Sequence, residues 1–195
     1  MHLKDSSKRY GWLSIALHWT GAVAVVMLWF IGNVMTSEGT RQEDYTELVR
    51  VHTSVAVAVY LLLLGRIVHR FAVGFPGPFE DQHPLRSLGA RLVQYSLLIG
   101  IGTMLLSGPL MVWANGDTIG VFNWGGVPSP FAPSPALHEL MAATHRTTRW
   151  ALLIAVLVHV GGIFLSRGET LNRMLPAPEV DADAPARPDE AFTDD

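Results

Sequence analysis

The sequence of 195 residues contains no cysteine. That absence excludes disulfide bonds and the thiolate ligands of iron–sulfur clusters and zinc ribbons. It also excludes the paired cysteines to which c-type haem is covalently attached. The sequence further lacks a phosphate-binding loop, a dinucleotide-binding fingerprint and a nucleophile-elbow motif, and no feature of it indicates nucleic-acid binding.

Charged residues are scarce, at 16% of the chain, whereas 49% of the residues are hydrophobic. The hydrophobic residues gather in four blocks of roughly 20, the length of helix that crosses about 30 Å of hydrocarbon. Because lipid offers no hydrogen-bond partners, segments that span it must satisfy their backbone internally as helices. We therefore predict an all-α, integral membrane four-helix bundle of up-down-up-down topology within residues 1–175. The four predicted spans are residues 12–35, 51–68, 90–113 and 144–165.

The basic residues between the blocks predict the orientation of the bundle. Eight lie on the side that holds both chain ends: Lys4, Lys8, Arg9, Arg70, Arg86, Arg91, Arg167 and Arg173. The opposite side carries Arg41 and Arg50, and no Lys or Arg occurs between Ala114 and Thr144. Since basic residues favour the cytoplasmic side, we expect both termini to be cytoplasmic. Residues 176–195 carry a charge of −6 and little that could be buried, which predicts a disordered acidic tail.

Four of the eight histidines fall within the hydrophobic blocks, and these are His18, His52, His145 and His159. A polar ring in hydrocarbon is costly without a partner, so each is a candidate functional residue. Hydrogen bonding between helices is the alternative explanation for any one of them. That alternative explains all four less well, because their depths in the blocks match in pairs.

The depths follow from helix geometry. His145 and His159 are 14 residues apart, which on a helix is almost four turns, about 21 Å, along one face. In the predicted topology His52 lies level with His145 near the outer surface, and His18 lies level with His159 near the inner surface. The pairs His52/His145 and His18/His159 would each place two imidazoles across the bundle at one depth, as the two axial ligands of a haem iron require. With both axial sites filled, such an iron suits electron transfer rather than oxygen binding.

Two further histidines offer alternative assignments. His138 precedes His145 by seven residues and could share its face if that helix starts early, but the prolines around His138 favour an interfacial position. His69 is rotated about 100° from His52 and lies beside Arg70 at the expected water boundary. A position at the surface is therefore favoured for His69, with a role in quinone binding as the lesser alternative.

Arginines near the paired histidines are candidate partners of anionic groups. Arg66 follows His52 by 14 residues on the same face, so it should approach the inner pair, where a haem propionate would be a fitting partner. Near the outer pair lie Arg50, Arg146 and Arg149. These three could pair with outer propionates or form a positively charged mouth, and snorkelling to lipid headgroups is the alternative.

Three segments resemble the bacterial cytochrome b561 family of di-haem membrane proteins: RYGWLSIALHW, VHTSVAVAVYLLLLGRIVHR and HRTTRWALLIAVLVH. The resemblance covers about residues 8–168 and is specific in its combination of an early R-Y…H-W element with two histidines 14 residues apart. It implies a four-helix bundle that binds two b-type haems through four histidines, which correspond to His18, His52, His145 and His159. It further implies a place in the bacterial inner membrane and electron exchange with ubiquinone.

Relatives within this family and its wider superfamily differ in function, so the resemblance implies two candidate roles. The first is a self-contained cytochrome that transfers electrons across the bilayer to or from ubiquinone, with a redox protein or superoxide as donor. Its enzymatic form would be a superoxide:ubiquinone oxidoreductase, in which Arg50, Arg146 and Arg149 steer the superoxide anion. The second is a haem-b membrane anchor that passes electrons between a dehydrogenase or hydrogenase partner and quinone. The acidic tail and the proline-rich connection at residues 128–135 depart from the family pattern and leave the partner open.

Overall fold

A computed structural model describes residues 4–6, 9–79, 82–166 and 169–175. Its helices are α1 (Trp12–Met35), α2 (Gln42–Val73), α3 (Pro84–Ala114), α4 (Pro135–Leu165) and the short α5 (Glu169–Asn172). The first four are long and apolar enough to cross a membrane, with mean hydropathies of 1.8 to 1.9 in their most apolar segments. The prediction of an all-α, four-helix membrane protein is thereby confirmed. The predicted acidic tail, residues 176–195, lies outside the described residues.

We call the end of the bundle at which α1 and α3 begin the inner end, and the opposite end the outer end, after the predicted orientation. Three helices reach beyond the predicted spans. Helix α2 begins at Gln42, where Glu43 in the first turn complements the positive end of the helix dipole. Helix α3 begins at Pro84, since proline suits the first helical position. Helix α4 begins at Pro135, after Ser134 caps the first turn. These added turns are polar or interfacial, so a search for apolar runs does not include them.

The apolar core lies midway between the two predicted histidine depths. Helix α1 packs mainly against α2, and α3 packs mainly against α4. The two helix pairs meet around Leu63, Ile101 and Leu152, all of them buried. A Cβ at Gly100 would lie 2.9 Å from Cδ1 of Leu152, so this glycine gives the Leu152 side chain room against α3. Leu152 is seven residues from both His145 and His159, and the core therefore separates the two depths.

A small hairpin closes the outer end. In the connection from α3 to α4, β1 (Ile119–Gly120) pairs in antiparallel register with β2 (Gly126–Val127). The hydroxyl of Ser54 on α2 accepts a hydrogen bond of 2.6 Å from the Phe122 N–H. Its neighbour Thr53 donates to a backbone carbonyl of β1 at 2.9 Å. The hairpin is thus fastened to α2 within two residues of His52.

At the inner end, the residues before α1 are held against the end of α2. Arg70 donates to the Asp5 carboxylate at 2.9 Å, and both side chains are nearly buried. Burial would raise the pKa of Asp5, but hydrogen bonds from Ser14, the Gly11 N–H and Arg70 hold it below its usual value. His69 is half-buried and shares a hydrogen bond of 2.9 Å between Nε2 and the Ser14 hydroxyl. His69, for which a surface position was expected, is thus partly exposed and partly covered by the start of α1.

Candidate haem-binding sites

The inner pair consists of His18 on α1 and His159 on α4. Their ring centres are 6.1 Å apart, and their planes are inclined by 55°. Two imidazoles bound through nitrogen at about 2 Å on opposite sides of one metal ion would have ring centres roughly 6 Å apart. The structure therefore brings these two rings to the separation that a shared iron requires.

Arg66 lies at this inner pair. One terminal nitrogen donates to Nδ1 of His18 at 3.0 Å, and the other donates to the Leu17 carbonyl at 3.2 Å. Gly21 makes room for it, because a Cβ at that position would lie 3.2 Å from the Arg66 side chain. Arg66 therefore approaches the inner pair, as its spacing from His52 predicted.

Open space borders the inner pair. A groove of about 1280 Å³ opens between the inner ends of α3 and α4 and reaches His159. Small residues line much of it, with Gly161 and Gly162 on α4. Gln94 on α3 lines both this groove and a smaller pocket that contains His18 and His159. A flat, largely apolar group would fit against such walls.

The outer pair consists of His52 on α2 and His145 on α4. Each ring packs against a glycine of a neighbouring helix. A Cβ at Gly32 on α1 would lie 3.5 Å from the His52 ring, and one at Gly108 on α3 would lie 3.3 Å from the His145 ring. Nδ1 of His145 is also 3.1 Å from the hydroxyl of Ser107.

Several buried nitrogens near the two pairs have no well-formed hydrogen bond among the residues that the structure describes. Nδ1 of His52 is one. The others are Nε of Arg66, Nε of Arg149 and the indole nitrogen of Trp29. Buried donors normally find an acceptor, so these positions fit a bound group that carries carboxylates. Together with the four imidazoles of the two pairs, they fit haem b, whose porphyrin bears two propionates.

The three outer arginines have different surroundings. Arg149 donates to the Gly32 carbonyl at 3.3 Å and to the Thr36 hydroxyl at 3.0 Å, and so links α4 to α1. Arg50 pairs with Glu47 and also donates to the Asn123 side chain. Arg146 is exposed. The charge of Arg50 is therefore already matched, which distinguishes it from the other two.

His138 belongs to α4, because that helix starts at Pro135. The early start that would let it share a face with His145 is thus present. Its Nδ1 bonds to the Met111 carbonyl at 2.8 Å, so its ring is held against α3.

The sequence reasoning did not identify Ser107, Gly108 and Gly32, which lie against the outer rings. A signal for the first two was present, since a Ser-Gly-Pro triplet at residues 107–109 interrupts an otherwise apolar block. For Gly32 no local signal distinguishes it from other helix glycines.

Residues 9–177 match the family described as prokaryotic cytochrome b561, a span that includes all four long helices and both histidine pairs. The chain belongs to this family. It is also 30% identical over 182 residues to Cytochrome b561 homolog 2 of Escherichia coli (strain K12), covering 90% of this chain and 95% of that relative. The family resemblance predicted from the sequence is therefore confirmed, and the chain is a multi-pass bacterial membrane haem protein.

Proposed function

We propose that this chain is a di-haem b-type cytochrome of the bacterial inner membrane that transfers electrons across the bilayer to or from ubiquinone. The observation that supports this most directly is the arrangement of four intramembrane histidines in two layers, His18 with His159 and His52 with His145. Haem, when bound, would supply reversible one-electron chemistry at its iron. His18, His52, His145 and His159 would hold the haem through their imidazole nitrogens.

The two layers are connected by α4, which contributes one histidine to each. The 14 residues between His145 and His159 correspond to about 21 Å along the helix. The layer around Leu152 occupies the space between them with apolar side chains. This spacing supports passage of electrons between one layer and the other across most of the hydrocarbon.

Arg66 has a specific part in this proposal. A guanidinium only donates, so Nδ1 of His18 must be the acceptor in the contact described above. If His18 binds iron through Nε2, its Nδ1 carries the proton and can no longer accept from Arg66. Arg66 then needs another acceptor, and a propionate of the inner haem is the natural one.

The assignment of ubiquinone as partner rests on family resemblance and on the groove between the inner ends of α3 and α4. That groove is mostly apolar, reaches the His159 ring and carries polar groups at Gln94 and Arg86. A quinone would complement this groove, because its body is apolar and its carbonyl oxygens accept hydrogen bonds. We therefore place quinone exchange at the inner end, next to the haem held by His159.

Superoxide as electron donor has narrower support. Of the three arginines proposed to steer it, Arg50 is paired with Glu47, whereas Arg146 and Arg149 form no ion pair with any residue that the structure describes. Rapid-mixing measurement of haem reduction by superoxide decides this point, and a rate no faster than the background excludes it. The anchor role, as haem subunit of a dehydrogenase or hydrogenase, is tested by whether a large soluble subunit co-purifies with the chain.

The proposal as a whole is tested on the purified protein by a haem assay and a reduced-minus-oxidised spectrum. We expect two haems per chain with b-type spectra, and reduction or oxidation of both on mixing with ubiquinol or ubiquinone. One haem or none per chain would contradict the di-haem proposal. Two haems without any exchange with the quinone pool would remove ubiquinone as partner and leave the haem sites standing.

A further inference from the structure

Ser107 is a fully buried serine in the middle of α3, with 1% of its surface exposed. Its hydroxyl oxygen is 2.7 Å from the Thr103 carbonyl and 3.1 Å from Nδ1 of His145. These two contacts together determine the positions of the Ser107 hydroxyl proton and of the His145 ring proton.

The Thr103 carbonyl can only accept, so the single hydroxyl proton of Ser107 is directed to it. Towards His145 the hydroxyl oxygen can then act only as acceptor. Nδ1 of His145 must therefore carry the ring proton and donate it to Ser107. In this tautomer the lone pair is on Nε2, and no hydrogen bond to that nitrogen occurs in the part of the chain that the structure describes.

From this geometry we infer that Ser107 is a positioning residue for the outer haem: it fixes the tautomer of His145 and lowers the reduction potential of the iron that His145 binds. The inference rests on the proposed function, in which His145 would bind the haem iron. A ligating imidazole that donates its second N–H to an acceptor is a stronger electron donor to the metal. A stronger donor stabilises the oxidised iron relative to the reduced iron.

The neighbouring glycine supports the same arrangement. A Cβ at Gly108 would lie 3.3 Å from Cε1 and 3.6 Å from Nδ1 of His145, so the ring lies close against the α3 backbone. Close approach is what brings Nδ1 within reach of a short serine side chain. Within the described ranges, neither His18 nor His52 nor His159 bonds to a side-chain hydroxyl, so this second contact is a property of the His145 side of the outer site.

A buried serine that bonds to the carbonyl four residues earlier is common in membrane helices, and by itself indicates no function. Ser54 on α2 provides that comparison within the same protein. Its hydroxyl donates to the Arg50 carbonyl at 2.6 Å and accepts from a backbone N–H, that of Phe122. Ser54 is as buried as Ser107 but touches no imidazole through its hydroxyl, so Ser54→Ala is a matched control.

The test is a redox titration of the purified holoprotein and three variants, Ser107→Ala, Ser107→Thr and Ser54→Ala. In Ser107→Ala we expect two haems, one of which has a more positive midpoint potential than in the unaltered protein. Ser107→Thr, which keeps the hydroxyl, should restore the original potential, and Ser54→Ala should leave both potentials unchanged. Repeating Ser107→Ala in a His18→Ala background, which is expected to hold only the outer haem, should give the same positive shift.

Unchanged potentials in Ser107→Ala with both haems present would overturn the inference while leaving the proposed function intact. An equal shift in Ser54→Ala, or a shift confined to the haem that His18→Ala removes, would overturn it as well. Ser107→Ala could instead lose the outer haem. In that case, retention of this haem at its original potential in Ser107→Thr would support the role of the hydroxyl, and loss of this haem in Ser107→Thr as well would refute the inference. An unaltered protein without haem would refute the proposed function, and the inference with it.

Discussion

At the inner end of the bundle, Nδ1 of His18 is hydrogen-bonded to the guanidinium of Arg66. At the outer end, Nδ1 of His145 is hydrogen-bonded to the hydroxyl of Ser107. The candidate ligands are all imidazoles, yet their surroundings would act in opposite directions on a bound haem. Arg66 would turn from His18 to a propionate but remain a cation beside the inner site, whereas Ser107 is a hydrogen-bond acceptor at the outer site. A cation disfavours the additional positive charge of an oxidised iron, and a hydrogen-bond acceptor favours it. Arg149 brings a cation to the outer half too, but it is directed to α1 at Gly32 and Thr36 rather than to an imidazole. If both pairs hold haem as proposed, we expect the two haems to differ in potential, with the inner haem the better electron acceptor.

The largest expected effect is loss of a whole haem. His52→Ala and His145→Ala should each lower the haem content from two to one per chain and remove the same spectral component, because both supply the outer pair. His18→Ala and His159→Ala should remove the other component. His138→Ala is the control, since its ring is bound to the Met111 carbonyl, and it should keep both haems. Loss of different components in His52→Ala and His145→Ala would break the pairing on which the comparison depends.

A smaller effect is expected from the arginines. Arg66→Gln should make the inner haem harder to reduce, because a unit charge about 10 Å away at an effective dielectric of about 20 contributes roughly 1.5 kcal/mol. That is about a tenfold change in the redox equilibrium, measured as a negative shift of one midpoint potential, and Arg66→Lys should shift it less. Arg149→Gln serves as the outer counterpart. If it moves the inner potential as far as Arg66→Gln does, the contrast between the two ends is wrong.

The smallest effect concerns the stability of the inner end in acid. Because the folded state lowers the pKa of Asp5, its ionised form stabilises the fold above the usual carboxyl value near 3.8, and this contribution is lost as the pH falls below that value. Asp5→Asn should therefore lower the free energy of unfolding at neutral pH by about 1 kcal/mol. Below about pH 4 the variant should lose less stability than the unaltered protein does.

The outer end provides the control for that measurement. Glu47→Gln breaks the exposed pair with Arg50, and exposed ion pairs contribute little, so its melting curve should match that of the unaltered protein. If Glu47→Gln lost as much stability at neutral pH as Asp5→Asn, the ion pairs at the two ends would be equivalent.

Some of these features could be predicted from the sequence alone and others could not, for physical reasons. Apolar length determines which segments enter the membrane, and a histidine's position along a span determines its depth, so His18 and His159 could be matched before their rings were seen 6.1 Å apart. Rotation about the helix axis is different, because it depends on packing between helices. Whether Ser107 faces lipid or His145 depends on how α3 is turned against α4, and an apolar block with no clean polar face does not reveal that.

His69 shows the same limit. Its rotation away from His52 followed from helix geometry, but its actual partner, Ser14, comes from the first helix. The sequence of α2 alone therefore suggested the surface for a side chain that another helix partly covers. The polar first turns of α2 and α4 were missed for a simpler reason, since helices continue past the hydrocarbon wherever caps and charges stabilise them.

Helix α4 supplies one histidine to each pair, and this has a consequence for how the protein is made. It is the last of the four long helices to be synthesised, so each site has only one of its two imidazoles while the ribosome is still producing the connection at residues 115–134. The hairpin in that connection likewise reaches α2 only after α3 has crossed the membrane. Insertion of α4 thus completes both histidine pairs at the same step of synthesis.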